Sequence, residues 1–158
     1  MSIRKSPFYY GGVVKDEYFC NRSKETKELV ADIDSGLNVL MYAPRRFGKT
    51  SLVLNALSKT EYSYVFLDLM SIVDAEEFIN EYFNAISKGI NTPSDKVVTL
   101  LNEVLELPYR YAEHQNKKVV VVFDEFQEVV NIGIEEKLRA VLQHHGDIVS
   151  YVFLGSIY

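Results

Sequence analysis

The sequence predicts an α/β protein in which a parallel sheet is sandwiched by helices, and three observations predict it. Apolar runs with little polar alternation recur at Asn38–Ala43, Tyr62–Met70, Lys118–Asp124 and Ile148–Gly155, the pattern of strands covered on both faces. Between them lie segments whose apolar residues recur at helical spacing. Strands that alternate with helices favour crossover connections and parallel pairing over hairpins. The chain of 158 residues is 47% apolar, so it reads as one globular domain able to bury a core without disulfide or metal staples.

Each element has its own justification. Ser6–Arg22 mixes Pro7, Gly11 and Gly12 with Phe8, Tyr9, Tyr10, Tyr18 and Phe19, and so many rings suit an ordered loop packed on the domain. Ser23 is a candidate N-cap for a helix over Lys24–Ile33, with Leu29, Val30 and Ile33 on one face and Ser35-Gly36 as its stop. Asn38–Ala43 is the first strand, and Gly48–Lys59 a helix burying Leu52, Val53, Ala56 and Leu57. Tyr62–Met70 is the second strand. Asp74 caps a helix to about Lys88, in which Phe78, Ile79, Tyr82, Phe83 and Ile86 form the apolar stripe. Asn91–Pro93 breaks the chain, and a helix follows from Ser94 to Gln115 with Pro108 as a kink or interruption. Lys118–Asp124 is the third strand. Glu135–His144 is a helix ended by Gly146, and Ile148–Gly155 is the fourth strand.

Composition narrows the function classes. The net charge of −5 argues against a broad basic surface, so direct nucleic-acid binding by this segment is not expected. The single cysteine, Cys20, excludes an internal disulfide and suits a reducing, cytoplasmic compartment. Val119–Phe123 is as long as any uninterrupted apolar run, far short of the roughly 20 residues that span a bilayer. No apolar stretch follows the charged Met1–Lys5, so neither a signal peptide nor a membrane span is readable. No Cys/His spacing suggests zinc.

In a parallel sheet of this kind ligands bind at the carboxyl ends of the strands. There the sequence carries Ala43-Pro44-Arg45-Arg46-Phe47-Gly48-Lys49-Thr50 between a strand and a helix. This is the Walker A phosphate loop, with alanine in place of the first glycine. Its backbone N–H groups and the helix N-terminus suit a phosphate chain. Gly48 permits close backbone approach, Lys49 supplies a mobile positive charge, and the Thr50 hydroxyl is a candidate magnesium ligand. The expected nucleotide-binding residues here are Pro44, Arg45, Arg46, Phe47, Gly48, Lys49, Thr50 and Ser51. Arg45 and Arg46 are equally readable as solvated loop charges.

The third strand ends Val119-Val-Val-Val-Phe-Asp124-Glu125, a Walker B pattern. Two adjacent carboxylates at the end of a buried strand are costly unless a cation or a wet site receives them. Asp124 is the expected magnesium ligand, and Glu125 the group that orients and deprotonates the attacking water. Gln127 reads either as an aid to water positioning or as a surface or helix-start residue. Ser156 is a candidate sensor of the γ-phosphate or attacking water, with a satisfied turn serine as the alternative. Asp68 reads more simply as a solvated strand end, and His144 and His145 as partners of a helix dipole.

Taken together, Tyr18-Phe-Cys-Asn21-Arg22 with Glu25 and Glu28, then Ala43–Ser51, Phe123-Asp-Glu-Phe-Gln127 and Leu154-Gly-Ser156 resemble the archaeal-type ATPases of the AAA+/STAND branch of P-loop proteins. The resemblance covers nearly the whole chain. It implies that Asn21 and Arg22 lie near adenine and ribose and that Ser156 is the sensor-one residue, grouped with Glu125 and Lys49 as catalytic. Residues 1–35 would then be an adenine-side segment, and 36–158 the core from Walker A to sensor one. It further implies an ATP/ADP and Mg²⁺-dependent ATPase whose turnover drives a conformational switch. A nucleotide-binding signalling module with little turnover, or the motor of a DNA-processing protein, are the alternatives.

The family sheet has the order 5-1-4-3-2, and a fifth strand, lid and sensor two are not found within this sequence. Weak hydrolysis by the segment alone is therefore expected. Asn38–Ala43 would become an unprotected edge. The expectation is a protein partner or self-association at that edge, or its cover by Phe8, Tyr9 and Tyr10.

Overall fold

The computed structural model describes residues 2–3, 22–44, 47–91 and 98–157. Five parallel strands form one sheet: β1 Ser2–Ile3, β2 Val39–Pro44, β3 Ser63–Asp68, β4 Val119–Asp124 and β5 Val149–Ile157, in the order β1-β2-β5-β4-β3. The helices are α1 Arg22–Asp34, α2 Lys49–Ser58, α3 Ala75–Ile90, α4 Leu101–Gln115, α5 Val129–Ile132 and α6 Glu135–Leu142, with a 3₁₀ turn at Phe126–Glu128. The four long strands are the four read from the sequence, in the relative order that reading implied.

The pleat divides the core into two layers. Val120 and Val122 of β4 join Val152 and Leu154 of β5 on one face, against Leu29 and Ile33 of α1 and Leu52, Val53, Ala56 and Leu57 of α2. Val119, Val121 and Phe123, with Tyr151 and Phe153, point to the other face, where α3, α4 and α6 supply Phe78, Tyr82, Ile86, Val104, Leu105 and Leu138. Every residue of β4 is buried. That two-sided burial is why this strand shows no polar alternation.

The structure corrects several boundaries. Helix α1 begins at Arg22, which places Ser23 inside it and not at its cap. Helix α4 begins at Leu101 and runs through Pro108, while Val98–Leu100 is not helical. The 3₁₀ turn and α5 after β4 were not anticipated; they carry too few residues to show a period. His145 does follow the end of α6, its N–H donating to the Leu142 carbonyl at 3.3 Å, but its side chain is more than a partner of the helix dipole. It is buried, and its ring stacks at 5.2 Å from Tyr109 and 5.7 Å from Tyr151. Asp74 does cap α3: its carboxylate accepts the Glu77 N–H at 2.8 Å.

The edge at β2 is also partly corrected. Ser2 and Ile3 pair in parallel with Val39 and Leu40, so the first part of that strand has a neighbour on its outer side. Phe8, Tyr9 and Tyr10, expected to cover it, lie outside the described residues.

Candidate active site

The carboxyl ends of β2, β4 and β5 come together because their register is set by the central strand. Ala43 pairs with Ser156 and Pro44 with Ile157, while Phe123, one residue before Asp124, pairs with Phe153. Residues far apart in sequence thereby reach one corner of the sheet. At β3, Asp68 pairs with Asp124, yet Asp68 is exposed and its carboxylate accepts the Met70 N–H at 2.9 Å. Asp68 thus closes a turn.

The loop after β2 turns into α2 at Gly48, whose φ of 72° and ψ of 24° are left-handed. A residue with a Cβ is strained there, and glycine is not. Ala43 stands where the motif has its first glycine. It is still a strand residue, fully buried and paired, with no positive φ, so its methyl group meets no backbone penalty. Phe47 anchors the loop on the α1–α2 side of the core. Pro44 is half-buried at the end of β2, and Ser51 is exposed on α2. Asn21, Arg45 and Arg46, and the side chain of Arg22, lie outside the described residues.

The remaining expected site residues are joined by hydrogen bonds. Lys49 is buried, and its Nζ donates to Ser156 Oγ at 2.9 Å. Ser156 Oγ in turn donates to Glu125 Oε1 at 3.1 Å. Thr50 Oγ1 donates to Asp124 Oδ2 at 2.7 Å, and the Glu125 N–H donates to Asp124 Oδ1 at 2.8 Å. A buried ammonium beside a serine hydroxyl and two carboxylates makes a charged corner, where partial burial strengthens the interaction of an added anion with the cation.

The backbone at Glu125 is unusual. Three described non-glycine residues have positive φ: Asn91, Asn116 and Glu125. Both asparagines end helices, where a left-handed residue closes the last turn. Glu125, at φ 54° and ψ 47°, ends no helix, and such strain costs on the order of 1 kcal/mol. It turns the chain sharply after β4 and presents the Glu125 carboxylate to β5. Strain of this kind gathers at functional positions.

Thr50 and Asp124 together offer a hydroxyl and a carboxylate oxygen. Hard oxygen donors in that small number fit magnesium, which keeps several waters and takes further oxygens from phosphates. No cluster of three His, Cys, Asp or Glu side chains able to hold a metal occurs among the described residues.

A family model described as an ATPase domain predominantly from Archaea matches residues 19–148, most of the chain. The chain belongs to this ATPase family. Solved structures agree on the architecture of the ATPase domain. The Aeropyrum pernix ORC2 protein, in ADPNP–ADP complexes, matches with a TM-score of 0.60 at 12% identity, over 87% of this chain and 40% of that one. CDC6P from Pyrobaculum aerophilum matches with a TM-score of 0.60 at 15% identity, over 96% of this chain and 42% of that one. The ADP form of the Aeropyrum pernix protein gives a TM-score of 0.60 at 13% identity, over 94% and 43%. At these identities the likeness shows the fold. The ATPase domain described here spans less than half the length of these proteins. No helix among its described residues is long and apolar enough to cross a membrane.

Gln127, which the sequence left between two readings, lies inside this network: its Nε2 donates to Glu125 Oε2 at 2.6 Å, and its Oε1 accepts the Ser156 N–H at 3.2 Å. Its sequence signal is only its distance of two residues from Glu125. The pairing of β4 with β5 supplies the rest.

Proposed function

We propose that this chain binds ATP with magnesium at Pro44–Ser51 and hydrolyses it, using the change to drive a conformational switch. The observation that carries the proposal is the continuous chain Lys49–Ser156–Glu125, which links the phosphate loop to an acidic base through one hydroxyl. The ADPNP and ADP of the Aeropyrum pernix structures support nucleotide as the ligand. Residues 1–158 would be part of one ATPase domain, with Asn21 and Arg22 towards adenine and ribose and Arg45 and Arg46 towards phosphates. A reducing, cytoplasmic setting suits Cys20.

In this reading the Lys49 ammonium exchanges Ser156 for the β and γ phosphate oxygens, and the α2 N-terminus faces the same phosphates. Thr50 and Asp124 would hold magnesium, which supplies positive charge against the phosphate oxygens when bound. Glu125 orients a water in line with the γ-phosphorus and takes its proton as the water oxygen bonds to phosphorus. The bond to the β–γ bridging oxygen breaks, releasing ADP and phosphate. Ser156 reports the γ-phosphate to Glu125. Catalysis of this kind is mostly positioning and charge neutralisation.

Thermal shift and turnover assays test it. Saturating Mg-ATP should raise the melting temperature, Lys49→Ala should abolish the rise, and Lys49→Arg should weaken it. Glu125→Gln should keep nucleotide affinity and lose hydrolysis, whereas Asp124→Asn should weaken the magnesium-dependent part of binding. A folded protein that Mg-ATP does not stabilise would refute the binding site. Stabilisation with no turnover in a single-turnover assay would refute the hydrolase and leave a nucleotide-binding module.

A further inference from the structure

Both oxygens of the Glu125 carboxylate are engaged by the protein, and by two different groups. Oε1 accepts from the Ser156 hydroxyl at 3.1 Å and Oε2 accepts from the Gln127 amide at 2.6 Å. The other end of the Gln127 amide accepts the Ser156 N–H at 3.2 Å. The three residues therefore close a ring: carboxylate, side-chain amide, backbone N–H, hydroxyl, carboxylate. Two of its contacts are charge-assisted, because the acceptor is a carboxylate, and such bonds are stronger than neutral ones.

We propose that Gln127 is the positioning residue for Glu125, and that it fixes the direction of the base relative to the β5 serine. The inference rests on the reading of Glu125 as the hydrolytic base. Glu125 needs such a support for a stated reason. Its backbone is left-handed, so β4 does not determine where its side chain points, and a half-exposed glutamate otherwise samples several rotamers. The 3₁₀ turn at Phe126–Glu128 brings Gln127 back over the carboxylate. The amide is the side chain for this place, because it donates to the acid with one end and accepts from β5 with the other. A carboxylate has about four acceptor sites, and the ring uses two. Lone pairs remain for a water proton while the side chain is held. Gln127 touches neither nucleotide nor water in this role; it acts through Glu125.

The role separates from a purely structural one by two substitutions. Gln127→Ala removes both contacts. Gln127→Glu keeps an acceptor for the Ser156 N–H but loses the donor and sets a second negative charge against Glu125. If Gln127 only braced β5, Gln127→Glu would restore what Gln127→Ala loses. As a positioning residue, both variants should bind Mg-ATP within about twofold of wild type, with kcat reduced about tenfold or more, and Gln127→Glu should be no better than Gln127→Ala. Near wild-type kcat in either variant, or a loss that falls on nucleotide affinity and spares kcat, would overturn the proposal. Should wild type bind nucleotide without turnover, the hydrolase reading fails first, and the ring is judged by NMR. The Gln127 side-chain amide protons should exchange slowly with water in wild type and in Lys49→Ala, and fast in Glu125→Ala. Equal exchange in all three would overturn the ring itself.

Discussion

Tyr82 carries its hydroxyl into the core on α3, where the residue is fully buried and the oxygen has no hydrogen-bond partner among the described residues. Burial pushes its pKa far up, so the group stays neutral. Its ring packs at 5.3 Å from Phe78 and 5.2 Å from Phe123, contacts that phenylalanine would keep. A buried hydroxyl without a partner costs about 1–3 kcal/mol, so Tyr82→Phe is expected to raise stability by about 1 kcal/mol, seen as a melting temperature higher by about 2–4 °C. A fall in melting temperature would mean that a water or a movement satisfies the hydroxyl in solution. Nothing in the sequence distinguishes Tyr82 from its apolar neighbours at helical spacing. The acids at 124 and 125 were legible for the opposite reason: charge at the end of an apolar run is conspicuous. The left-handed turn at Glu125 was not legible, because its cause is the tertiary demand to face β5, and glutamate has no preference for that backbone.

Helix α3 shows what a local signal fixes by itself. Asp74, extended at φ −149°, accepts the Glu77 N–H, and Glu77 Oε2 accepts the Val73 N–H at 3.0 Å. The two side chains thus satisfy donors at the start of the helix in a nearly reciprocal way. Acidic residues at Glu76 and Glu77 also face the positive helix end. Asp74→Ala should cost about 1 kcal/mol, and Asp74→Ser should recover most of it; equal urea midpoints for wild type and alanine variant would show the cap to be idle. This element was readable because its cap, stripe and length all lie within one stretch of chain. Helix α4 starts later than its sequence suggests because the N-cap position is Leu100, which has no capping side chain to mark the start. The short turn and α5 after β4 are held by burial of Val129 and Ile132 and by the packing of Phe126 on the core, a tertiary cause that local propensity does not show.

On the scale of the whole molecule, the layer of α3, α4 and α6 closes over a polar group. His145 is 1% exposed, its Nδ1 is hydrogen-bonded to the Tyr151 hydroxyl, and Nε2 lies 3.4 Å from Glu106. Burial lowers its pKa from the usual 6.5, His144 lowers it further, and Glu106 opposes both. The unfolded chain therefore takes up this proton at a higher pH than the folded one. Stability from His145 is full above about pH 6.5, falls as the pH drops below it, and stops falling below the folded value. Urea midpoints at about pH 7.5 and about pH 5 should show that loss, and His145→Gln should reduce the difference; an unchanged difference would assign the pH dependence to other groups. The strands and their order were legible because parallel burial writes itself as apolar runs. The cover of β2 by Ser2–Ile3 was not, since two residues give no period to read. The position of β5 has a consequence for how the molecule is made. It follows β2, β3 and β4 in the chain and is the middle strand of the sheet, and it carries Ser156. A ribosome releasing this protein delivers β1 and β2 before the β3–β4 pair, two pieces that cannot meet until β5 emerges between them. Until then the facing edges of β2 and β4, the latter with its unbroken Val119–Phe123 run, are open to pairing with other chains. The nascent protein thus holds these two edges unpaired until β5 emerges, and the strand that ends that exposure also completes the site.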